Sequence, residues 1–375
     1  MLTRLKKLHT PDIETLNTIT ISKENILNNI KSIEKLQPNS QIFPVLKSNA
    51  YGHWINQILK IIKGFSFPYI VVDSFPEYQI IHNQSKFNIL LLWETLPKNY
   101  QYFDTKRTTF AIYNIETLKY LISLNKKIKI HLFLNTGMNR EWIQKNNLNT
   151  FLELVKNNKK IELEWVMSHL HSADEKWEES ILKQITLFKT MFEIIKAKWF
   201  SPKWKHIWAS AWMIKINDSF FNARRPWLIF YGYSPFWNDE KINLDLKPAL
   251  TLNSTIISIQ NINKGEWISY NQKRIAQENA ISATVPFWYY EWRLRKLWGK
   301  LFYYQNNVPL QQVWTICMNL SCCIANKKIN LWGKIELIWI DKNKKNTIEY
   351  IANQAETIPY EILIRLDKGI RRTII

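Results

Sequence analysis

Short apolar segments alternate with helical segments from residue 17 to residue 232, and this alternation restricts the fold more than any other feature. The segments NTITI and QIFPVLK are typical of strands, and between them SKENILNNIKSIEKL has apolar residues three and four positions apart. Repeated strand and helix predict a parallel sheet, which eight units close into a (β/α)8 TIM-type barrel. We predict this barrel over residues 12–243, with further strands in YIVVDS, FNILLLW, FAIYN, KIHLFLN, LEWVMSHL, WKHIWAS and WLIFYG.

The pattern changes after residue 243. Strand-like runs follow one another with Asn, Lys and Gly between them, and most lack a helical segment in between. This pattern predicts a C-terminal, mainly antiparallel β domain over residues 244–375. The runs are ALTLNSTIISIQNI, EWISYN, AISATVPF, KLFYYQN, VPLQQVWTICMNL, KIELIWIDK and TIEYIANQ.

Composition narrows the class of protein. No apolar run approaches the roughly 18 residues that cross a bilayer, and the basic start MLTRLKK precedes no apolar segment, so we expect a cytoplasmic protein without membrane contact. The net charge of +20 raises the alternative of a nucleic-acid binder. Because the lysines are scattered along the chain, we expect no nucleic-acid partner. Three cysteines are too few for a four-ligand zinc site, and buried thiols are the expectation.

Lys47 ends an apolar run, in the stretch FPVLKSNAYGHW. Catalytic groups of such barrels gather at the C-terminal ends of the strands, where this lysine falls. A lysine there is a solvated charge, a phosphate ligand, or an amine that forms a Schiff base in a pocket that lowers its pKa. The residue alone does not decide among the three.

Tryptophan and glycine have unusual frequencies. The chain has 18 Trp and 8 Gly, which together make about 7% of the residues, the usual share of Gly alone. Several tryptophans stand where the chain is expected to turn, among them Trp142, Trp227, Trp288 and Trp292. Our hypothesis is that Trp replaces Gly at many positions because the organism reads UGA codons as Gly. The alternative is a protein that is truly rich in tryptophan.

Several motifs in order give the chain a resemblance to a known family. From about residue 17 to the C-terminus it resembles the alanine racemases, which depend on pyridoxal 5'-phosphate (PLP). In most of the motifs Trp stands where the family has Gly. The motifs are PVLKSNAYGHW, HLFLNTGMNREW, VMSHLHSADE, KHIWASAW, ARRPWLIFYGYSP, GEWISYN, ATVPFWYYEWRLRKL, TICMNLSC and IPYEILIRL.

The resemblance implies an isomerase that interconverts L-alanine and D-alanine through a PLP aldimine and supplies D-alanine for the cell wall. Two bases would serve opposite faces of Cα: Lys47, which also holds the cofactor, and Tyr270 from the other protomer of a head-to-tail homodimer. The other residues implied to bind the cofactor are Tyr51, Arg140, His169, Ser210, Arg225, Trp227, Leu228 and Tyr360, and those implied to bind substrate are Arg140, Met318 and Asn319.

The chain departs from the family pattern at three positions. Phe133 stands where many members carry a carbamylated lysine that steadies the arginine equivalent to Arg140. Asn319 replaces a common Asp, and Ala209 replaces a common Asn. These departures bear on substrate preference, between alanine and serine for example, more than on the reaction. Behind Tyr270 the resemblance places Tyr289 and Arg295.

Two alternatives from other functional classes remain open at the sequence level. A PLP-dependent decarboxylase of the same architecture would use a cysteine opposite the lysine, and CMNLSCC is compatible with that. A non-catalytic PLP-binding barrel would use its β domain only for association. The tyrosine in SYN and the arginine in ARRPW favour the racemase over the decarboxylase.

Overall fold

The structure is a computed structural model, and it describes residues 13–171, 178–207, 210–215, 218–236, 244–267, 276–287, 290–291, 297, 299–313 and 318–375. The chain divides into two compact units. One contains Ser22–Ala249 with Ile374–Ile375, and the other contains Met1–Ile21 with Leu250–Thr373. None of the helices in these ranges is both long enough and apolar enough to span a membrane.

The strands of the described ranges are short. In chain order they are β1 Thr18–Ile21, β2 Gln41–Ile42, β3 Ile70–Val72, β4 Ile89–Leu91, β5 Thr108–Ile112, β6 Ile128–Phe133, β7 Ile161–Met167, β8 Trp204–His206, β9 Ala223–Arg224, β10 Leu250–Thr255, β11 Ser258–Ile262, β12 Ala280–Val285, β13 Phe302–Gln305, β14 Val308–Gln312, β15 Ser321–Ala325, β16 Lys334–Ile338 and β17 Arg371–Ile374.

The helices of the same ranges alternate with the strands in the first unit. They are α1 Lys23–Leu36, α2 Lys47–Tyr51, α3 Ile55–Ile61, α4 Phe75–Gln84, α5 Ile115–Ser123, α6 Leu148–Lys156, α7 Glu178–Ala197, α8 Ser210–Lys215, α9 Ile348–Gln354 and α10 Pro359–Ile364. Short 3-10 helices span Pro97–Tyr102, Lys145–Asn147 and Leu228–Tyr231.

The first unit is a parallel barrel. Strands β3 to β8 pair in sequence order, and β2 pairs with β9, all in parallel. The two groups are joined by a bridge between Val45 and Val71 at one side, and by a hydrogen bond from the Asn222 amide to the Lys205 carbonyl at the other. Strands β3 and β4 are wholly apolar, and every residue of β3, β4 and β5 is buried, as expected where helices cover a parallel sheet. The predicted barrel is confirmed, but NTITI, which we predicted as one of its strands, forms β1 in the antiparallel sheet of the second unit.

Helix α1 shows why these sequences form helices. The hydroxyl of Ser22 accepts a hydrogen bond from the amide of Asn25 at 3.2 Å and so caps the first turn. Ile26, Ile30 and Ile33 recur at helical spacing and are fully buried. Burial of this stripe, more than helix propensity, stabilises the helix.

The second unit contains a sheet that is predominantly antiparallel, in agreement with the predicted β domain. The strand order among described residues is β11-β12-β15-β14-β13-β16-β10-β1-β17. Strand β1 pairs with β10, where Ile19 faces Leu252. The boundary predicted between residues 243 and 244 falls at the edge of residues 237–243, outside the described ranges, and it stays a prediction.

Two segments differ from the predicted strands. WLIFYG forms a 3-10 turn over Leu228–Tyr231. Gly232 ends the turn in the left-handed conformation (φ 90°), and a Cβ at this position would lie 1.9 Å from the Lys247 carbonyl oxygen. A continuous apolar run does not distinguish a strand from buried helix, and the prediction was wrong for that reason. TIEYIANQ forms α9, capped by the Thr347 hydroxyl, which accepts from the Tyr350 amide at 3.1 Å.

Candidate active site

Lys47 begins a turn of unusual handedness. It is the first residue of α2, directly after the apolar run, and the next four residues, Ser48 to Tyr51, have φ between 50° and 55°. Left-handed backbone costs a non-glycine residue about 1–2 kcal/mol. Four such residues in succession require support from the surrounding structure, and strain of this kind clusters at functional sites.

The support comes from hydrogen bonds on both sides of the turn. The amide of Asn49 donates to Glu77 Oε1 at 2.8 Å, and the Asn49 side-chain oxygen accepts from the Ile55 amide at 3.0 Å. Glu77, on α4, is 8% exposed and accepts a second, longer bond from the Asp73 amide at 3.4 Å. The turn is therefore fastened to the helix that follows β3.

A cavity of about 160 Å³ lies at the C-terminal ends of the barrel strands, and Lys47 lines it. This is the position at which barrel enzymes bind substrate. Among the predicted site residues the cavity brings together Lys47, Tyr51, Arg140, His169, Arg225 and Trp227, and its other lining residues are Val45, Leu92, Trp93, Phe133 and Trp142.

The environment of Lys47 favours its neutral amine. Burial lowers the pKa of Lys47, and the positive charges of Arg140 and Arg225 lower it further, against an opposing attraction from Asp73 and Glu77. The Asp73 carboxylate is 4.0 Å from Nζ. A lysine acts as a nucleophile or base only when it is neutral, so this environment suits both roles.

Arg225, and not its neighbour Arg224, belongs to the cavity. The guanidinium of Arg225 donates to the Ser168 carbonyl at 2.5 Å, while its Nε is buried without a partner in the described part of the chain. Arg224 donates to the carbonyls of Ile33 and Ser40. Burial lowers the pKa of Arg225 to about 9 and leaves it charged at neutral pH.

Tyr51 and Ser210 both lie near Trp227, which lines the cavity. Ser210, fully buried at the start of α8, accepts a hydrogen bond from the Trp227 amide at 3.1 Å. The ring of Tyr51 lies 5.9 Å from that of Trp227. Leu228 follows and is buried. All four are among the residues that the resemblance implies for cofactor binding.

Arg140 is paired with the residue that follows it. Its Nε and one terminal nitrogen donate to the two carboxylate oxygens of Glu141, at 2.5 and 2.8 Å. This bidentate bond raises the pKa of Arg140. Phe133 is apolar and stacks on Trp142 with ring centroids 4.4 Å apart. The guanidinium of Arg140 is thus held by Glu141 and makes no bond to Phe133.

His169 follows β7 and is partly exposed in the cavity wall. Burial lowers its pKa to about 3, and the charges of Arg225, Lys47 and Arg140 act in the same direction. The ring is therefore neutral at physiological pH. A neutral imidazole offers a flat face for packing and adds no positive charge beside the guanidinium groups of Arg140 and Arg225.

Three predicted residues lie in the second unit. Tyr360 is on α10, and Met318 and Asn319 are exposed just before β15. Four others fall outside the described residues: Tyr270, Tyr289, Arg295 and Ala209. Their assignments stay predictions.

Sequence reasoning missed three side chains that act on Lys47. Asp73 follows β3, and its carboxylate also accepts from the indole of Trp93 at 3.1 Å. The Trp93 ring centroid is 5.6 Å from Lys47 Nζ. A polar residue directly after a barrel strand was a usable signal for Asp73. Nothing in the sequence indicated that Glu77 would reach back to Asn49.

The residues of the cavity fit PLP in their chemistry. A lysine of lowered pKa suits the aldehyde, the partnerless Nε of the buried Arg225 suits a ring-nitrogen acceptor, and the hydroxyls of Tyr51 and Ser210 suit a phosphate. The volume is small, since pockets for such ligands are usually about 300–1,000 Å³. Three tryptophans stand in its wall: Trp93, Trp142 and Trp227.

Comparison with known proteins identifies the relatives. The family profile of the alanine racemase N-terminal domain matches residues 21–235, and that of the alanine racemase C-terminal domain matches residues 249–374. The alanine racemase of Borreliella burgdorferi is 28% identical over 366 residues, 95% of this chain and 96% of that protein.

Solved structures agree. The alanine racemase of Clostridium difficile superposes with a TM-score of 0.89 at 26% identity and covers 97% of both chains. The alanine racemase of Bacillus anthracis, solved with bound L-Ala-P, gives 0.88 at 25% identity and covers 97% of this chain and 96% of that one.

Proposed function

The chain belongs to the alanine racemase family, whose members are PLP enzymes, and we propose that it interconverts L-alanine and D-alanine with PLP bound at Lys47. The observation that carries the proposal is the placement of Lys47 and Arg225 on one cavity at the C-terminal ends of the barrel strands. The lowered pKa of Lys47 supports it.

The chemical problem is the weak acidity of the Cα proton of an amino acid. When bound, PLP withdraws electrons from Cα and makes that proton removable. The neutral amine of Lys47 is suited to take a proton from one face of Cα and to return it there. Inversion needs a second acid or base on the opposite face. We assign that role to Tyr270 of the partner protomer.

Arg225 is suited to the ring nitrogen of PLP. A guanidinium does not release its proton, so a ring nitrogen that accepts from it stays unprotonated. The electron withdrawal is then weaker than beside a carboxylic acid, which favours return of the proton to Cα over other reactions. Tyr51, Ser210, Tyr360 and the backbone amides of Trp227 and Leu228 are assigned to the phosphate, and His169 to the ring face.

Arg140 is assigned to the substrate carboxylate. Its guanidinium is half exposed and charged, and the bidentate bond to Glu141 fixes one side of it. Met318 and Asn319 of the partner are assigned to the same end of the substrate. An assembly that shares residues in this way is a homodimer of two-fold symmetry.

One experiment distinguishes the racemase from both alternatives. The purified protein is incubated with PLP and L-alanine in D₂O. A racemase exchanges the Cα hydrogen and forms D-alanine, a decarboxylase releases CO₂, and a non-catalytic binding barrel does neither. Borohydride reduction and peptide mapping then locate the cofactor, which we expect on Lys47; a label on another lysine, or none, would refute the assignment.

A further inference from the structure

Four tryptophans have a backbone conformation that tryptophan avoids. Trp54, Trp142, Trp199 and Trp332 have φ of 69°, 91°, 69° and 60°. With an L side chain, positive φ forces Cβ against the backbone, and only Gly adopts it without cost. Trp54 has ψ of 121°, outside even the small left-handed region that non-glycine residues sometimes occupy.

A comparison with other residue types in the chain shows that unfavourable positive φ is concentrated at tryptophan positions. Outside the turn Ser48–Tyr51, the non-glycine residues of positive φ within the described ranges are four Asn, four Trp and one Glu. Asn tolerates the left-handed region because its short side chain bonds locally, and a bulky indole has no such compensation. Phenylalanine is equally numerous at 18, and every one lies in the described ranges, none with positive φ.

The side chains of these tryptophans are also poorly accommodated. Trp199 and Trp332 are 90% and 66% exposed. Trp142 is buried, yet its indole N–H has no partner in the described part of the chain, although a buried indole usually finds one.

Tryptophans also line the cofactor cavity, at positions 93, 142 and 227. The centroid of the Trp93 ring lies 5.6 Å from Lys47 Nζ and 5.1 Å from Arg140 Cζ. Trp142 covers Phe133, and Trp227 has φ −124° and ψ −86°, outside the main allowed regions. Together these three indoles line a cavity of about 160 Å³ that otherwise has the chemistry of a PLP site.

We infer that the protein made in its own organism carries glycine at positions 54, 142, 199 and 332. We also infer that glycine at positions 93, 142 and 227 forms the open wall of the cofactor pocket. The first part rests on backbone geometry alone. The second part rests on the proposed function. The deficit of Gly in the composition supports both.

Peptide mass spectrometry of the protein isolated from its own organism tests the first part. We expect each peptide that covers one of positions 54, 142, 199 and 332 to have a lower mass than the Trp form. The difference corresponds to replacement of one indolylmethyl group by hydrogen at each of these positions. The corresponding codons are expected to be UGA and not UGG. A peptide with Trp at any of these four positions overturns the inference.

Recombinant variants test the backbone argument separately. At the exposed position 199 little packing is lost, so Trp199→Gly is expected to raise the thermal midpoint, whereas Trp199→Ala keeps the strained φ and is expected to give little or none of this gain. Equal effects of Gly and Ala would show that strain is absent and would count against the inference.

The triple variant Trp93→Gly, Trp142→Gly, Trp227→Gly tests the pocket. We expect it to bind PLP at least tenfold more tightly than the Trp form, measured by the absorbance of the bound cofactor. Trp199→Gly is the control, with unchanged affinity. If the native peptides carry Gly while the triple variant binds no PLP, the residue identities stand and the proposed cofactor site fails. If it binds no more tightly than the Trp form, the pocket part is overturned.

Discussion

The backbone amide of Asn49 donates to the carboxylate of Glu77 at 2.8 Å, which fastens the left-handed turn after Lys47 to helix α4. Four non-glycine residues in this conformation together cost several kcal/mol, at about 1–2 kcal/mol each. The side chain of Glu77, which is 8% exposed, offsets part of this cost through the hydrogen bond. It touches neither substrate nor cofactor in the proposed mechanism, and it acts as a positioning residue for Lys47 and Tyr51.

Removal of this carboxylate is expected to affect stability and the lysine together. Glu77→Ala removes the acceptor of the part-buried Asn49 amide, which costs about 1 kcal/mol of unfolding free energy. It also removes a negative charge that raises the pKa of Lys47, and the pKa of Lys47 is therefore expected to fall further. Glu77→Gln keeps one acceptor oxygen and is expected to be milder. Urea unfolding and pH titration of PLP binding measure the two effects.

Glu164→Gln is the matched control, because Glu164 is also 8% exposed and bonds Tyr69 and Lys129. Its charge is not among the main influences on Lys47. We expect it to lose stability without a change in the pH dependence of PLP binding. The role assigned to Glu77 is wrong if its Ala variant binds PLP with the same affinity and the same pH dependence as the parent.

Asp73 provides a prediction about pH. Burial lowers the pKa of Lys47, and the nearby Asp73 carboxylate is the strongest influence in the opposite direction. Asp73→Asn removes that attraction, so the amine of Lys47 becomes neutral at a lower pH. In cofactor-free protein, the pH midpoint for labelling of Lys47 by an amine-selective reagent is expected to shift downward.

Lys129 is an internal reference for that experiment. Burial opposes its charge, but the hydrogen bond and charge of Glu164 raise its pKa. Its labelling midpoint is expected above that of Lys47 and unchanged by Asp73→Asn. A midpoint for Lys47 that stays in place or moves upward would contradict the assignment.

Much of the architecture could be predicted from sequence, because apolar periodicity reports burial directly. The alternation of strand and helix indicated the barrel, and Lys47 falls at a strand end as predicted. The left-handed turn after Lys47 could not be predicted, since Ser48 and Ala50 have no local preference for it and a distant Glu77 supports it. The resemblance implied Arg225 and not Arg224, but only the tertiary contacts show that Arg225 lines the cavity while Arg224 bonds the carbonyls of Ile33 and Ser40.

The pair of Arg140 and Glu141 predicts a change in substrate binding. Glu141→Gln weakens the bidentate bond that fixes the guanidinium assigned to the substrate carboxylate. We expect KM for alanine to rise several-fold with a smaller change in kcat, because the bond orients a binding group. Glu193→Gln, which breaks a surface pair with Lys196, is the control and is expected to leave both constants unchanged. If the two variants have equal KM values, Glu141 does not orient Arg140 for substrate binding.

A site shared between protomers predicts complementation between two inactive variants. Lys47→Ala lacks one base and Tyr270→Phe lacks the other, so each homodimer is expected to be nearly inactive. After subunit exchange, half of the dimers are mixed, and in a mixed dimer one of the two sites has both residues intact. About a quarter of the parent activity is therefore expected from an equal mixture. A mixture of Lys47→Ala with the double variant has no intact site and is expected to stay inactive. If exchange is verified by mass and activity does not return, then Tyr270 does not act across the dimer, and the second base must be sought within the same protomer.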